Sequence, residues 1–300
     1  MIINKLVIKE ILKEYWIEKK YLIKTIKNDK YHIVIDVFYN NEYFILKKIN
    51  KHNSFFIKKI EFLIKNKIIY DIEKNNSNIF LTKSWEELFI LYKKINWQTL
   101  QELFFQDKLT ISLINKVLIY INETYKGWNY SDIILNKEIN YNHDNVLNSI
   151  KKNINSLKNN LKELNVDIRK VLFDYKDIKK NINFNYITHN NLTQANIIFS
   201  KKNNTLNLID FDTIWIWNPL IDILSFLISW YQQNEDKSTL DKILINIWEI
   251  FEYSYDEVIR HFKYTLSYFI LLYISEENKK YFIETNLDSL VITYELYKNY

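Results

Sequence analysis

"ITHNNLTQANIIF", residues 187–199, and "LIDFD", residues 208–212, decide how this chain is read. The brief apolar runs "NIIF" and "LNLID" flank the polar "KKNN" at 201–204. That pattern predicts two short strands closed by a tight turn, and "YIT" at 186–188 predicts another short strand before them. Closing the hairpin brings Asn196, at the head of the first strand, to Asp210, at the end of the second. His189 and Asn191 stand in the loop just before. An amide and a carboxylate held side by side offer hard oxygens to a divalent cation such as Mg²⁺.

Around that stretch the composition sets limits. Of 300 residues, 48% are hydrophobic and 16% aromatic, which predicts a folded chain with a sizeable core. There is one Gly (Gly127) and one Pro (Pro219), while Ile, Lys, Asn, Leu and Tyr are the most frequent residues. Asn must therefore fill turn positions that Gly would usually take, because it tolerates positive φ better than other side chains. The net charge of +5 is mild and the lysines are spread among acidic residues, so no nucleic-acid surface is signalled. Without cysteine there are no disulfides and no thiolate metal sites. The five histidines, His32, His52, His143, His189 and His261, show no metal-ligand spacing. No secretory leader is evident, and the apolar "YTLSYFILLYIS" is too short to span a bilayer. A cytoplasmic protein with no membrane contact is the expectation.

The first 84 residues read as an N-terminal lobe. Leu6, Val7, Ile11, Leu12 and Tyr15 recur at helical spacing. From Tyr21 the period becomes two: "YLIKTIK", "YHIVIDVFY" and "EYFILKKI" predict three strands joined by "NDK" and "NN" turns. Ser54 caps an expected helix over about 55–67, and "NIFLTKSW" predicts a further short strand. From 85 to 300 the chain reads as a mainly helical C-lobe interrupted by the 186–210 strands. Val146, Ile150, Ile154, Leu157, Leu161 and Leu164 predict one long helix, and helices resume at about 219. The fold class is thus α+β, a small antiparallel sheet followed by a large helical lobe.

A strand lysine, a helix glutamate and a loop–hairpin unit in that order match the needs of phosphoryl transfer from ATP. That reaction wants a cation on the phosphates, an amide and a carboxylate on Mg²⁺, and a group that orients the acceptor hydroxyl. Lys47 and Lys48 are adjacent on the third strand and so lie on opposite faces. One would face the nucleotide; Lys48 reads as a solvated strand lysine. Glu61 sits in the helix that follows.

"HNNLTQAN" with "LIDFD" resembles the aminoglycoside phosphotransferase and choline kinase superfamily, a two-lobed protein-kinase-like fold, with the spore-coat kinase-like branch nearest. "YFILKKI", "LTKSW" and "NPLIDIL" extend the resemblance over about residues 20–232. It implies ATP and Mg²⁺ as cofactors and a small hydroxyl compound as acceptor. It also implies Lys47 on the α- and β-phosphates, Glu61 paired with Lys47, Asn196 and Asp210 on the metal, and Asp222 bracing the catalytic loop. Lys47 is preferred over Lys48 because it directly follows Leu46. His189 would be a structural hydrogen-bonder.

The departure is Asn191, where the family carries Asp. An amide accepts a hydrogen bond but takes no proton at neutral pH. General-base help is worth about 10²- to 10⁴-fold, so the implied enzyme is a slow phosphotransferase. Asp212 is a weak surrogate acid. The alternative is a pseudokinase, a nucleotide-binding or scaffolding protein with a protein partner. Trp215, Trp217 and Trp230 read as core, with a cage for a quaternary ammonium as the alternative.

Overall fold

The computed structural model describes residues 5–18, 21–28, 33–49, 73, 75, 77, 81–84, 87–94, 98–106, 108–128, 166–182, 186–211, 215–276 and 283–300. The chain forms two compact units, Met1–Trp97 and Gln98–Tyr300.

The first unit opens with α1 (Lys5–Glu14), followed by β1 (Leu22–Asn28), β2 (Ile33–Tyr39), β3 (Glu42–Ile49), β4 (Leu81–Ser84) and β5 (Glu87–Lys93). These strands make one antiparallel sheet in the order β1-β2-β3-β5-β4. The β2–β3 hairpin closes on Asn40 (φ 49) and Asn41 (φ 64). Positive φ at both central residues is the mark of the tight turn that matches strand twist, and Asn here fills both positions. The unit runs to Trp97 and includes β5, which pairs with β3 from Phe44 to Ile49. The sequence hides β5: Phe89, Ile90 and Leu91 are all buried, so the strand shows no alternation.

Register sorts the sheet into two faces. Ile35, Leu46 and Leu91 lie in one row, and Val34, Lys47 and Ile90 in the next, facing the other way. The first face packs on Ile8, Ile11, Leu12 and Tyr15 of the N-terminal helix and the turn after it. Leu6 was expected on that stripe but is 70% exposed; Ile8 takes its place, because 8, 11, 12 and 15 form the i, i+3, i+4, i+7 series. Lys47 is half-buried on the opposite face. Lys48 is only 8% exposed, not solvated, since alternation puts it on the covered side.

The second unit contains β6 (Gln98–Thr99), α2 (Leu100–Phe104), α3 (Ile111–Gly127), α4 (Ile168–Lys179), β7 (Tyr186–Thr188), β8 (Ile197–Ser200), β9 (Thr205–Leu208) and β10 (Trp215–Trp217). Then come α5 (Pro219–Asn234), α6 (Lys237–Phe251), α7 (Tyr255–Glu276) and α8 (Ile283–Asn299). α5 is buried almost all round, from Leu220 to Trp230, and packs against α3, α6, α7 and α8. Its start is fixed locally: Asn218 Oδ1 accepts from Leu220 N (2.9 Å) and Ile221 N (3.2 Å), and Pro219 takes the first helical position. That cap sets the direction of Asp222, in the first turn. Trp230 is core and Trp217 packs against it, as expected.

The expected helices at 55–67 and 146–164 lie outside the described residues, and with them Glu61. Asp212 lies outside them too. Among the described residues no helix is long and apolar enough to cross a membrane.

Candidate functional site

The hairpin predicted from "NIIF" and "LNLID" is β8–β9, paired from Ile197↔Leu208 to Ser200↔Thr205. β7 does not join it. It pairs with β10, Trp215 opposite Thr188, so the loop 189–196 runs between two small sheets. Both ends of that loop are therefore held by strands, and its interior is held by side chains.

At the hairpin end, Asn196 O accepts from Ile209 N (2.9 Å). Ile209 O is in turn bonded to His189 Nε2 at 2.7 Å, an N–H donation from the ring. Both backbone groups of Ile209 are thus captured, which fixes the residue that follows. Asp210 is exposed and has φ 63, a left-handed conformation that costs a non-Gly residue about 1–2 kcal/mol. Such an outlier, held by its neighbours next to a loop, points to use at that position. Asn196 Nδ2 donates to Asn191 O (2.9 Å), which leaves Oδ1 as the outward oxygen of a mostly buried side chain. The backbone bond from Ile209 to Asn196 thus places Asp210 one residue beyond the partner of Asn196 at the end of the hairpin.

These donors fit Mg²⁺ better than a transition metal. Among the described residues no group of three or more His, Cys, Asp or Glu could cage a cation. One carboxylate and one amide suit a hard ion that keeps waters and phosphate oxygens for its other ligands.

At the other end, Asp222 is 2% exposed and receives the loop. Its Oδ2 accepts from Asn190 N (3.0 Å) and its Oδ1 from Leu192 N (3.4 Å). Tyr125 of α3 donates its hydroxyl to Asp222 Oδ2 and accepts from His189 N (3.2 Å). Burial pushes the Asp222 carboxyl up from its usual range; the nearby His189 ring, the Tyr125 hydroxyl and the two loop N–H groups oppose that. Burial, and the Asp222 charge after it, push the Tyr125 phenol well above its ordinary value, so it stays protonated and donates. Asn190 is held at φ 57, a position where Gly would be strain-free and Asn is tolerated. Between the two captured amides, Asn191 is turned out and exposed. His189 is fully buried and serves as a hydrogen-bonder.

Sequence reasoning missed Tyr125. It occupies the apolar stripe Ile114, Val117, Leu118, Ile121, Tyr125 and reads there as core. It also missed Gln194, 1% exposed, whose amide nitrogen and oxygen both lack a hydrogen-bond partner among the described residues. A buried unpaired amide costs about 1–3 kcal/mol. Gln194→Met keeps the volume and removes both atoms, so the urea unfolding midpoint should rise, by about 1–2 kcal/mol of stability. An unchanged or lower midpoint would mean that bound water satisfies the amide.

No family model matches the chain, and no curated protein matches it in sequence. Solved structures do. A spectinomycin phosphotransferase in complex with ADP and spectinomycin matches with TM-score 0.68 and 15% identity, over 99% of this chain and 94% of that one. A microcompartment-associated aminopropanol kinase matches with TM-score 0.69 and 9% identity, over 99% and 97%. An ethanolamine kinase from Plasmodium vivax matches with TM-score 0.54 and 12% identity, over 93% and 81%. The fold is therefore the two-lobed protein-kinase-like one. Within that class it is the fold of the aminoglycoside phosphotransferases and the small amino-alcohol kinases.

Proposed function

We propose that this chain is an ATP- and Mg²⁺-dependent phosphotransferase acting on a hydroxyl of a small polar metabolite or sugar, in the cytoplasm. The observation that carries the reading is the hydrogen-bonded unit that ties Asn191 to Asn196 and Asn196 to Ile209, the residue before Asp210. In a largely dissociative transfer, positioning and charge supply most of the rate. Asn196 and Asp210 hold the cation. Mg²⁺ held there would supply positive charge against the negative charge that develops in transfer. Lys47 contributes a fixed positive charge to the α- and β-phosphates, and Glu61 anchors Lys47. Asn191 accepts a hydrogen bond from the acceptor hydroxyl through its amide oxygen and orients it. It takes no proton, so transfer is slow. Asp212 is a weak second acid, and the spore-coat kinase-like branch remains the nearest by sequence motif.

Asn191 itself favours a second reading, a pseudokinase that binds nucleotide and a protein partner without efficient transfer. Calorimetry with ATP, with and without Mg²⁺, followed by ADP release across a panel of small alcohols, amino alcohols and sugars, tests both. Mg²⁺-dependent binding with slow turnover on one acceptor class supports the enzyme. Binding without turnover supports the pseudokinase, and no ATP binding at all removes both.

A further inference from the structure

We infer that Tyr125 is a positioning residue for transfer, one that acts on Asn191 through the backbone; the inference rests on the phosphotransfer reading of that site. Three backbone N–H groups flank Asn191, those of His189, Asn190 and Leu192. Each is claimed by a side chain from a helix: His189 N by Tyr125 of α3, Asn190 N and Leu192 N by Asp222 of α5. Tyr125 is the node, because its hydroxyl accepts from the first and donates to the carboxylate that takes the other two. A phenol does this where other residues fail. It carries one donor and acceptor lone pairs on a single oxygen, and it stays neutral while buried against a carboxylate.

The consequence is directional. Asn190 is left-handed, and a residue there returns to ordinary φ unless its neighbours are held. With His189 N and Asp222 Oδ2 both released from the hydroxyl, residues 189–192 can relax as a group. The bond from Asn196 Nδ2 to Asn191 O then no longer sets where the Asn191 side chain points. Nothing in this chain of contacts runs through the nucleotide, so the loss falls on orientation of the acceptor.

Tyr125→Phe removes one oxygen and keeps the ring in the core. The expected result is a fall of about 10-fold or more in kcat, since small misplacements at a reacting centre are costly, with the Kd for Mg²⁺-ATP unchanged. Amide hydrogen exchange at His189, Asn190 and Leu192 should speed up by about 10-fold, the worth of one net hydrogen bond, while the amides of β8, β9 and the middle of α5 keep their protection. The gain from Asn191→Asp should shrink in the Tyr125→Phe background, because a side chain that is no longer aimed cannot deliver its carboxylate. Equal loss of kcat and nucleotide affinity, or faster exchange spread evenly over α3 and α5, would assign Tyr125 a merely structural role and overturn the inference. So would additive effects of the two substitutions. Should the wild type show no turnover on any acceptor, the phosphotransfer reading fails by itself. Exchange then decides alone: a change confined to residues 189–192 keeps Tyr125 as the device that sets the loop, and no change there discards it.

Discussion

Asp210→Asn is expected to lower turnover by about 10²- to 10³-fold and to weaken Mg²⁺-ATP binding, with almost no change in stability. The choice of Asn matters. Asp210 has φ 63, and Asn tolerates that region better than other non-Gly side chains. Alanine there would add a backbone penalty of about 1–2 kcal/mol and confuse a folding defect with a metal defect. Asparagine keeps the shape, the left-handed backbone and one oxygen, and removes only the charge. Metal-borne charge stabilisation is worth several kcal/mol, and each 1.36 kcal/mol is about tenfold in rate. Since Asp210 is the only carboxylate in the proposed pair with Asn196, its neutralisation leaves two amides to hold the ion. The measurements are steady-state ADP release over a Mg²⁺ titration, calorimetry with Mg²⁺-ATP, and the thermal midpoint. A variant that binds Mg²⁺-ATP as the wild type does, with the midpoint intact, would show that Asp210 is not a metal residue.

How much of this could be read from the chain depends on what kind of contact each residue makes. The β2–β3 hairpin was legible because its period is two and because an Asn pair can occupy two left-handed positions. The β8–β9 hairpin was legible from its two brief apolar runs around "KKNN", with Asn204 at φ 53 in the turn. β5 was not, because a strand buried on both faces has no alternation to show, and a short apolar run looks the same in a helix. Asp222 was legible only through the resemblance that "NPLIDIL" carries, which implied that it braces the loop. Its partners turned out to be backbone amides and a phenol, and those have no sequence signature. Tyr125 shows why. At its place on the helix stripe a tyrosine and a phenylalanine bury the same ring, and only the folded neighbourhood gives the hydroxyl something to do. Lys48 makes the converse point: strand parity alone places it on the face opposite Lys47, but its burial follows from α1 covering that face.

Asn191→Asp should raise kcat by about 10- to 10³-fold, the largest gain expected of any single change in this chain. The position is already built: the loop is pinned on both sides of residue 191, and the side chain is exposed. Replacing the amide by a carboxylate changes chemistry without changing shape. The new oxygen accepts the hydroxyl proton that the amide can only orient, a contribution worth about 10²- to 10⁴-fold where general-base help is fully expressed. The expected gain stops short of that range because a dissociative transition state calls for proton transfer late. Nucleotide affinity should hardly move, since Asn191 offers its backbone oxygen to Asn196 and no atom to the metal in the proposed site. Stability should hardly move either, because an exposed side chain is exchanged for an isostere. A pseudokinase forecasts otherwise: with the acceptor site gone, the same substitution yields no turnover on any alcohol of the panel. Steady-state ADP release by wild type and variant, on the same acceptors, separates the two. If the wild type turns over readily and Asn191→Asp is slower, both readings fall, and the amide is then a tuned part of the site whose neutral hydrogen bond the chemistry requires.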